Sequence, residues 1–315
     1  MSEPELSTAW SRANGLRLPV VNAPMGGVAG GRLAAAVTRA GGLGMIGMGS
    51  AGSVAALERE LPHLDGVPGS FGIGLVDWVI RAEAGLLPAA IAARPTLISV
   101  SFGTDLSWVR AVHEAGIRAA TQVYSIEDAH RAQDAGVDVL VARGLEGGGH
   151  GAVEVPTLSL LQAVVAEVPV PVLAAGGIAT SQDIAVALAA GASGVWLGTR
   201  LAACTESMLS ETDRRALLAA KSQDTVVTRV FDVAMGLPWP AQFPARVLRN
   251  AFTDRWSGLG DKLPEAARAA LHAARLADDP DIVPIDAGTG VGAVTEVRPV
   301  AQVLTDLCSG AANLL

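Results

Sequence analysis

Between residues 19 and 197 the chain alternates two kinds of segment: short runs of β-branched and other apolar residues bounded by glycine or proline, and longer Ala- and Leu-rich stretches with apolar positions at helical spacing. The runs predict strands at 19–23, 43–47, 71–75, 96–101, 118–123, 137–142, 170–174 and 194–197. The stretches between them predict helices at 32–40, 53–64, 81–93, 105–115, 126–135, 158–167 and 182–190. Ala40-Gly41, Ala115-Gly116, Ala135-Gly136 and Ala190-Gly191 each stand where a helix should stop, and glycine is the residue that accepts the left-handed conformation of such a stop. The strand runs are continuously apolar rather than alternating, as expected for a parallel sheet buried on both faces. Eight strand–helix units predict an α/β fold, a (β/α)8 TIM barrel, in preference to a doubly wound open sheet.

After residue 197 the pattern changes. A helix is predicted at 211–220, then a loop rich in proline and aromatics, GLPWPAQFP at 236–244, then an Ala-rich helix at 264–277. Such an irregular excursion reads as a helical cap or lid over one end of the barrel. The expected organisation is a barrel over 1–204, a cap over 205–290, and a C-terminal helix over 291–315 that returns to the barrel. Trp239 and Trp256 could pin the cap to the barrel or face a partner.

Half of the residues are hydrophobic, 17% are charged and mean hydropathy is +0.39, so this is a folding sequence rather than a disordered one. A net charge of −8 argues against nucleic acid, whose binding needs clustered Lys and Arg. Cys204 and Cys308 form neither a disulfide framework nor a zinc motif, which points to a reducing cytoplasm. The first twenty residues carry charges throughout and do not read as a signal peptide. No apolar run approaches the ~20 residues of a membrane span.

In a TIM barrel the chemistry lies at the carboxyl ends of the strands, with a phosphate often held after the seventh and eighth. Here those places carry Ala175-Gly176-Gly177-Ile178 and Leu197-Gly198-Thr199-Arg200. Bare backbone N–H groups at a helix start make a phosphate cradle, although such glycines also serve plain tight turns. After the sixth run comes Gly144-Leu145-Glu146-Gly147-Gly148-Gly149-His150-Gly151, in which glycines would let a flat ligand approach and His150 is a natural general base. The bland alternative is a surface histidine on a mobile loop. His63, His113, His130 and His272 fall on predicted helices away from strand ends, and no metal-binding constellation is expected.

These residues resemble the nitronate monooxygenases, formerly called 2-nitropropane dioxygenases. The resemblance runs through Asn22-Ala23-Pro24-Met25, GGLGMIG at 41–47, the His150 loop, the two glycine cradles, TRVFD at 228–232, RVLRNAF at 246–252 and AGTGVG at 287–292. It implies a TIM barrel that binds FMN and oxidises alkyl nitronates, and by extension nitroalkanes, with O2 to a carbonyl compound and nitrite. It implies His150 as the catalytic base and Met25 beside the flavin ring, with Ala23 and Pro24 in the same motif. Gly148, Gly176 and Gly177 would contact FMN, and Trp196, Leu197, Gly198 and Thr199 would hold its phosphate.

Four positions depart from the family pattern: Gly74 stands where many members carry Asn, Gln122 for Lys, Arg143 for Gln, and Trp196 for a smaller or polar residue. Arg143 could supply the flavin with the cation that Gln122 lacks, or be a surface ion-pair partner. Trp196 would alter the pocket or pack outside the barrel. The expected partners are a small nitronate and O2, with oligomeric state open. Two other readings stand beside this one: a flavin-dependent enoyl-acyl carrier protein reductase using NAD(P)H, and a flavin-free phosphate-binding TIM-barrel enzyme. Against the latter, Lys221 and Lys262 both lie outside the predicted barrel.

Overall fold

The computed structural model describes residues 6–260, 262–277 and 279–315; the opening five residues of the segment read against a signal peptide lie outside that range. Eleven strands are described: β1 Val20–Asn22, β2 Gly44–Gly47, β3 Phe71–Val76, β4 Leu97–Ser101, β5 Arg118–Val123, β6 Val139–Arg143, β7 Gly149–His150, β8 Val172–Ala175, β9 Gly194–Leu197, β10 Thr225–Thr228 and β11 Ala245–Leu248. All but β7, β10 and β11 form one parallel sheet in the order β1-β9-β8-β6-β5-β4-β3-β2. A parallel bridge between Val21 and Leu43, with the Leu43 amide donating to the Val20 carbonyl, joins its two edges and closes the barrel. The fold is the TIM barrel expected from the eight runs.

Alternation along the strands separates two cores, because successive side chains point to opposite faces. Val21, Met45, Leu97, Ala120, Val139, Val141, Leu173, Ala175 and Trp196 pack together inside the barrel, joined by Trp10 and Leu16 from the segment before β1. Their neighbours Val20, Ile46, Ile98, Ala119, Leu140, Val172, Ala174, Val195 and Leu197 pack outward against the helices. Burial on both faces is why the strand sequences read as unbroken apolar runs.

The helices follow the expected order with local breaks. The first long one, Gly31–Ala40, buries Leu33, Ala34 and Val37 and stops at Gly41 with φ 101°. The stretch at 53–64 is helical over Val54–Glu60 and tightens to a 3-10 turn at Leu61–Leu64, where Pro62 has no amide to donate. The stretch at 81–93 is two helices, Asp77–Ala82 and Leu86–Ala92, because Glu83 leaves the helical conformation.

The region after β9 combines helices with short strands. Its helices Glu211–Ala219, Val230–Met235 and Glu265–Ala277 are accompanied by an antiparallel sheet in which β11 lies between β10 and β7. Ala245 pairs with His150 and Arg246 with Gly149, so the cap is stitched to the loop after β6. The last helix, Val300–Ala312, packs on Gly31–Ala40 and on Ser181–Ala189. Among the described residues no helix is long and apolar enough to cross a membrane.

Candidate active site

The carboxyl ends of the strands bring the glycine loops together. At the end of β1 the Ala23 amide donates to the Leu197 carbonyl, extending the pairing with β9. Asn22 is buried and fastens β1 to β2, donating to the Met45 carbonyl at 2.8 Å and accepting from its amide at 2.7 Å. A Cβ placed on Gly198 would meet only Ala23 Cβ and Met25 Sδ, both at 3.8 Å, so these three residues share one wall. Pro24 lies over Gly74: a Cβ there would stand 2.2 Å from Pro24 Cβ and Cγ. The glycine at this position follows from that contact, since Pro24 fills the space an Asn side chain would take.

The glycine-rich side of the site has three contributors. Gly176 and Gly177 adopt left-handed φ values of 114° and 71°. Thr199 Oγ1 accepts from the Gly288 amide at 2.9 Å, and the Thr289 amide donates to the Glu146 carbonyl at 3.0 Å. Segment 287–290 therefore threads between the loops after β6, β8 and β9. Gly148 abuts it so closely that a Cβ would come within 2.5 Å of the Gly288 nitrogen. The AGTGVG sequence is thus part of the site wall, and the chain returns to the barrel a few residues before 291. Glu146 holds the loop from below, its carboxylate accepting from the Thr157 amide and hydroxyl at 2.8 and 2.7 Å.

Trp196 and Leu197 reach the same place with backbone only. The Trp196 side chain fills the barrel interior, not the outside, and Leu197 packs outward beneath the helices. Gln122 is half-buried and its Oε1 accepts from the Tyr124 hydroxyl at 2.9 Å. Arg143 is not a surface ion-pair partner: it is 5% exposed. Its Nη2 donates to the carbonyls of Gly147, Gly148 and Gly149 at 2.8, 3.1 and 3.0 Å, and Nη1 donates to Ala152 at 3.3 Å. The guanidinium braces the glycine loop.

His150 stands at the end of this loop with its side chain 15% exposed. Its Nε2 lies 3.0 Å from both carboxylate oxygens of Asp232, which is 4% exposed. Its ring stacks on Trp239, with centroids 3.6 Å apart and planes within 7°. Trp239 is held by an indole hydrogen bond to Ser50 Oγ at 3.1 Å and by edge contacts with Trp78 and Phe102. Phe102 and Tyr124 also meet Phe243. Phe102 adopts φ +71°, uncommon for a non-glycine residue, and its ring is fixed between Trp239 and Phe243.

Asp286 completes the cluster. Its carboxylate would lie 3.2 Å from a Cβ on Gly149, and its backbone bridges Val247. Its side chain is exposed to solvent. Loss of hydration raises its pKa, Asp232 adds to the rise, and His150 and Arg143 oppose it.

His150, the glycine cradles, Met25 and Gln122 are on the carboxyl side as the sequence suggests. Asp232 and Asp286 are legible only as the last residue of TRVFD and the residue before AGTGVG, and Trp239 only as part of PWP. A separate hollow of about 510 Å³ opens at the opposite, amino-terminal end, lined by Trp10, Asn14, Arg118, Asp138 and Ser193. It lies far from the strand ends where this architecture places its chemistry.

Comparison with known proteins agrees with this geometry. Residues 85–310 match the family model described as nitronate monooxygenase. A nitronate monooxygenase from Pseudomonas aeruginosa is 31% identical, over 96% of this chain and 98% of its own. FabK from Thermotoga maritima superposes with TM-score 0.87 at 30% identity, covering 98% of this chain and 97% of its own. A nitroalkane oxidase from Streptomyces ansochromogenes superposes with TM-score 0.81 at 27% identity, covering 96% and 98%.

Proposed function

The chain belongs to the nitronate monooxygenase family, and from that premise we propose that it is an FMN-dependent oxidoreductase converting alkyl nitronates and O2 to a carbonyl compound and nitrite. The observation that carries this reading is His150 held between Asp232 and Trp239, on the loop that also forms the wall of the glycine cradle. The donor set suits a flavin mononucleotide. An anionic phosphate suits the backbone amides around Gly176, Gly177, Gly198 and Thr199, and a flat apolar ring suits the wall of Ala23, Met25 and Gly148. Gln122, hydrogen-bonded to Tyr124, would offer a polar contact to the ring edge.

Bound FMN would supply the redox chemistry, which no side chain of the chain can provide. The protein's own part is proton transfer and placement. With a nitroalkane, His150 accepts the proton from the acidic carbon; with a nitronate that step has already occurred. Trp239, Phe102 and Phe243 wall off the imidazole from bulk water, which strengthens its electrostatic interactions. Arg143 and Glu146 keep the loop that carries the base in one conformation.

The test is a visible spectrum of the purified protein followed by addition of an alkyl nitronate in air. Yellow protein that releases nitrite without NADPH is expected, and His150→Asn should lower turnover of neutral nitroalkane ~100-fold or more. A protein that stays colourless after reconstitution with FMN would overturn the reading in favour of a flavin-free, phosphate-binding barrel enzyme. A second reading, the enoyl-acyl carrier protein reductase, draws support from the higher superposition score with FabK than with the nitroalkane oxidase. Anaerobic NADPH would bleach the flavin of such a reductase at once, and the nitronate reading expects no bleaching.

A further inference from the structure

We propose that Asp232 is the positioning residue that fixes Nδ1 of His150 as the nitrogen that accepts the substrate's proton. The role stands on geometry. A carboxylate only accepts hydrogen bonds, so Nε2, at 3.0 Å from both Asp232 oxygens, carries the hydrogen in that contact. In neutral imidazole the lone pair is then on Nδ1. The stacked Trp239 ring blocks one face and prevents the ring from turning over, and Trp239 is itself anchored to Ser50.

Proton transfer then balances simply. The substrate's Cα–H bond breaks, the proton moves to Nδ1, and the electron pair left on carbon is delocalised into the nitro group as the nitronate. The imidazolium that forms faces Asp232 across a buried contact, where a fixed carboxylate stabilises it more than water would. Asp232 does for His150 what the acid of a hydrolase triad does for its histidine: it selects the tautomer and supports the charge.

The consequence for substrates rests on the nitro-oxidation reading: an oriented base accelerates only the reaction of a neutral nitroalkane, since a preformed nitronate has already lost that proton.

The experiment uses the FMN-loaded protein labelled with ¹⁵N-histidine. The chain has five histidines, and His150→Asn assigns the signal. The wild type should show His150 with Nε2 protonated and Nδ1 free. Asp232→Asn, whose amide can donate to Nε2, should shift the proton to Nδ1. In parallel, turnover of freshly added neutral nitroethane should fall ~100-fold in Asp232→Asn, turnover of preformed ethyl nitronate less than about threefold, and Asp232→Glu should recover much of the loss.

A wild-type Nδ1–H tautomer, or an Asp232→Asn variant with unchanged tautomer, would overturn the role of Asp232. Equal loss on both substrates would mark Asp232 as merely structural. Absence of nitrite from both substrates in the wild type would instead refute the nitro-oxidation reading, and the tautomer measurement would still decide the role of Asp232.

Discussion

Asp286 shows how one side chain reports on the balance of forces in the site. Lost hydration favours its neutral form, an effect that solvent around this exposed side chain moderates, so its native pKa lies above the ordinary 3.8. For an acid raised in this way, the stability contribution is fully present below the unfolded value and is lost as pH rises through the native one. Ionised Asp286 therefore weakens the fold at neutral pH. Asp286→Asn keeps the shape and removes the charge, so its stability relative to wild type should improve steadily as pH is raised from below 3.8 to neutrality. Denaturant unfolding at a series of pH values measures this directly, and a difference that declines with pH would mean that Asp232 and the other surroundings favour the ionised form.

The element that decides the chemistry is the loop 144–151, and its conformation is imposed from outside. Arg143 donates to three of its carbonyls and to that of Ala152 just beyond it, and Arg246 donates twice to the Leu145 carbonyl, at 3.1 and 2.8 Å. Gly147 and Gly151 have folded so closely around Arg143 that a Cβ on either would lie within 2.6 Å of guanidinium atoms. A hydrogen bond to a charged group contributes about 1.5–3 kcal/mol. Arg143→Met leaves several carbonyls without their donor, so it should cost at least about 3 kcal/mol of stability by denaturant unfolding. It should also speed amide exchange at Gly147–His150 more than at the barrel strands. Uniform exchange across the molecule would show that the loop is held by β11 pairing instead.

At the scale of the whole molecule, the C-terminal helix ties the ends of the chain together. It buries Val300, Val303, Leu304 and Leu307 against the helices of the first and penultimate barrel units. Full burial of each such side chain is worth about 1.5–3 kcal/mol, and net stabilities of domains are only about 5–15 kcal/mol. A chain ending at residue 298 should therefore lose its cooperative thermal transition, and the cradle around Gly288 should go with it. Retention of a sharp transition would show that the barrel closes independently of this helix.

The sequence by itself determined the eight strand–helix units, because each strand and helix is written in a local period, and their number favoured a barrel; closure came with the Val21–Leu43 bridge. It also marked the strand-end glycines and His150, since their unusual composition is concentrated in a few consecutive residues. The interior place of Trp196 was decided by register, as one position along a strand exchanges the barrel core for the helix layer. The short strands Thr225–Thr228 and Ala245–Leu248 carry too little periodicity to be read before they pair with each other and the second pairs with β7. Only the tertiary structure brought Asp232 to His150 across 82 positions, laid Trp239 on the imidazole and threaded 287–290 through the cradle. Contacts between distant segments leave no local pattern, so the acid that orients the base is invisible until the chain has folded.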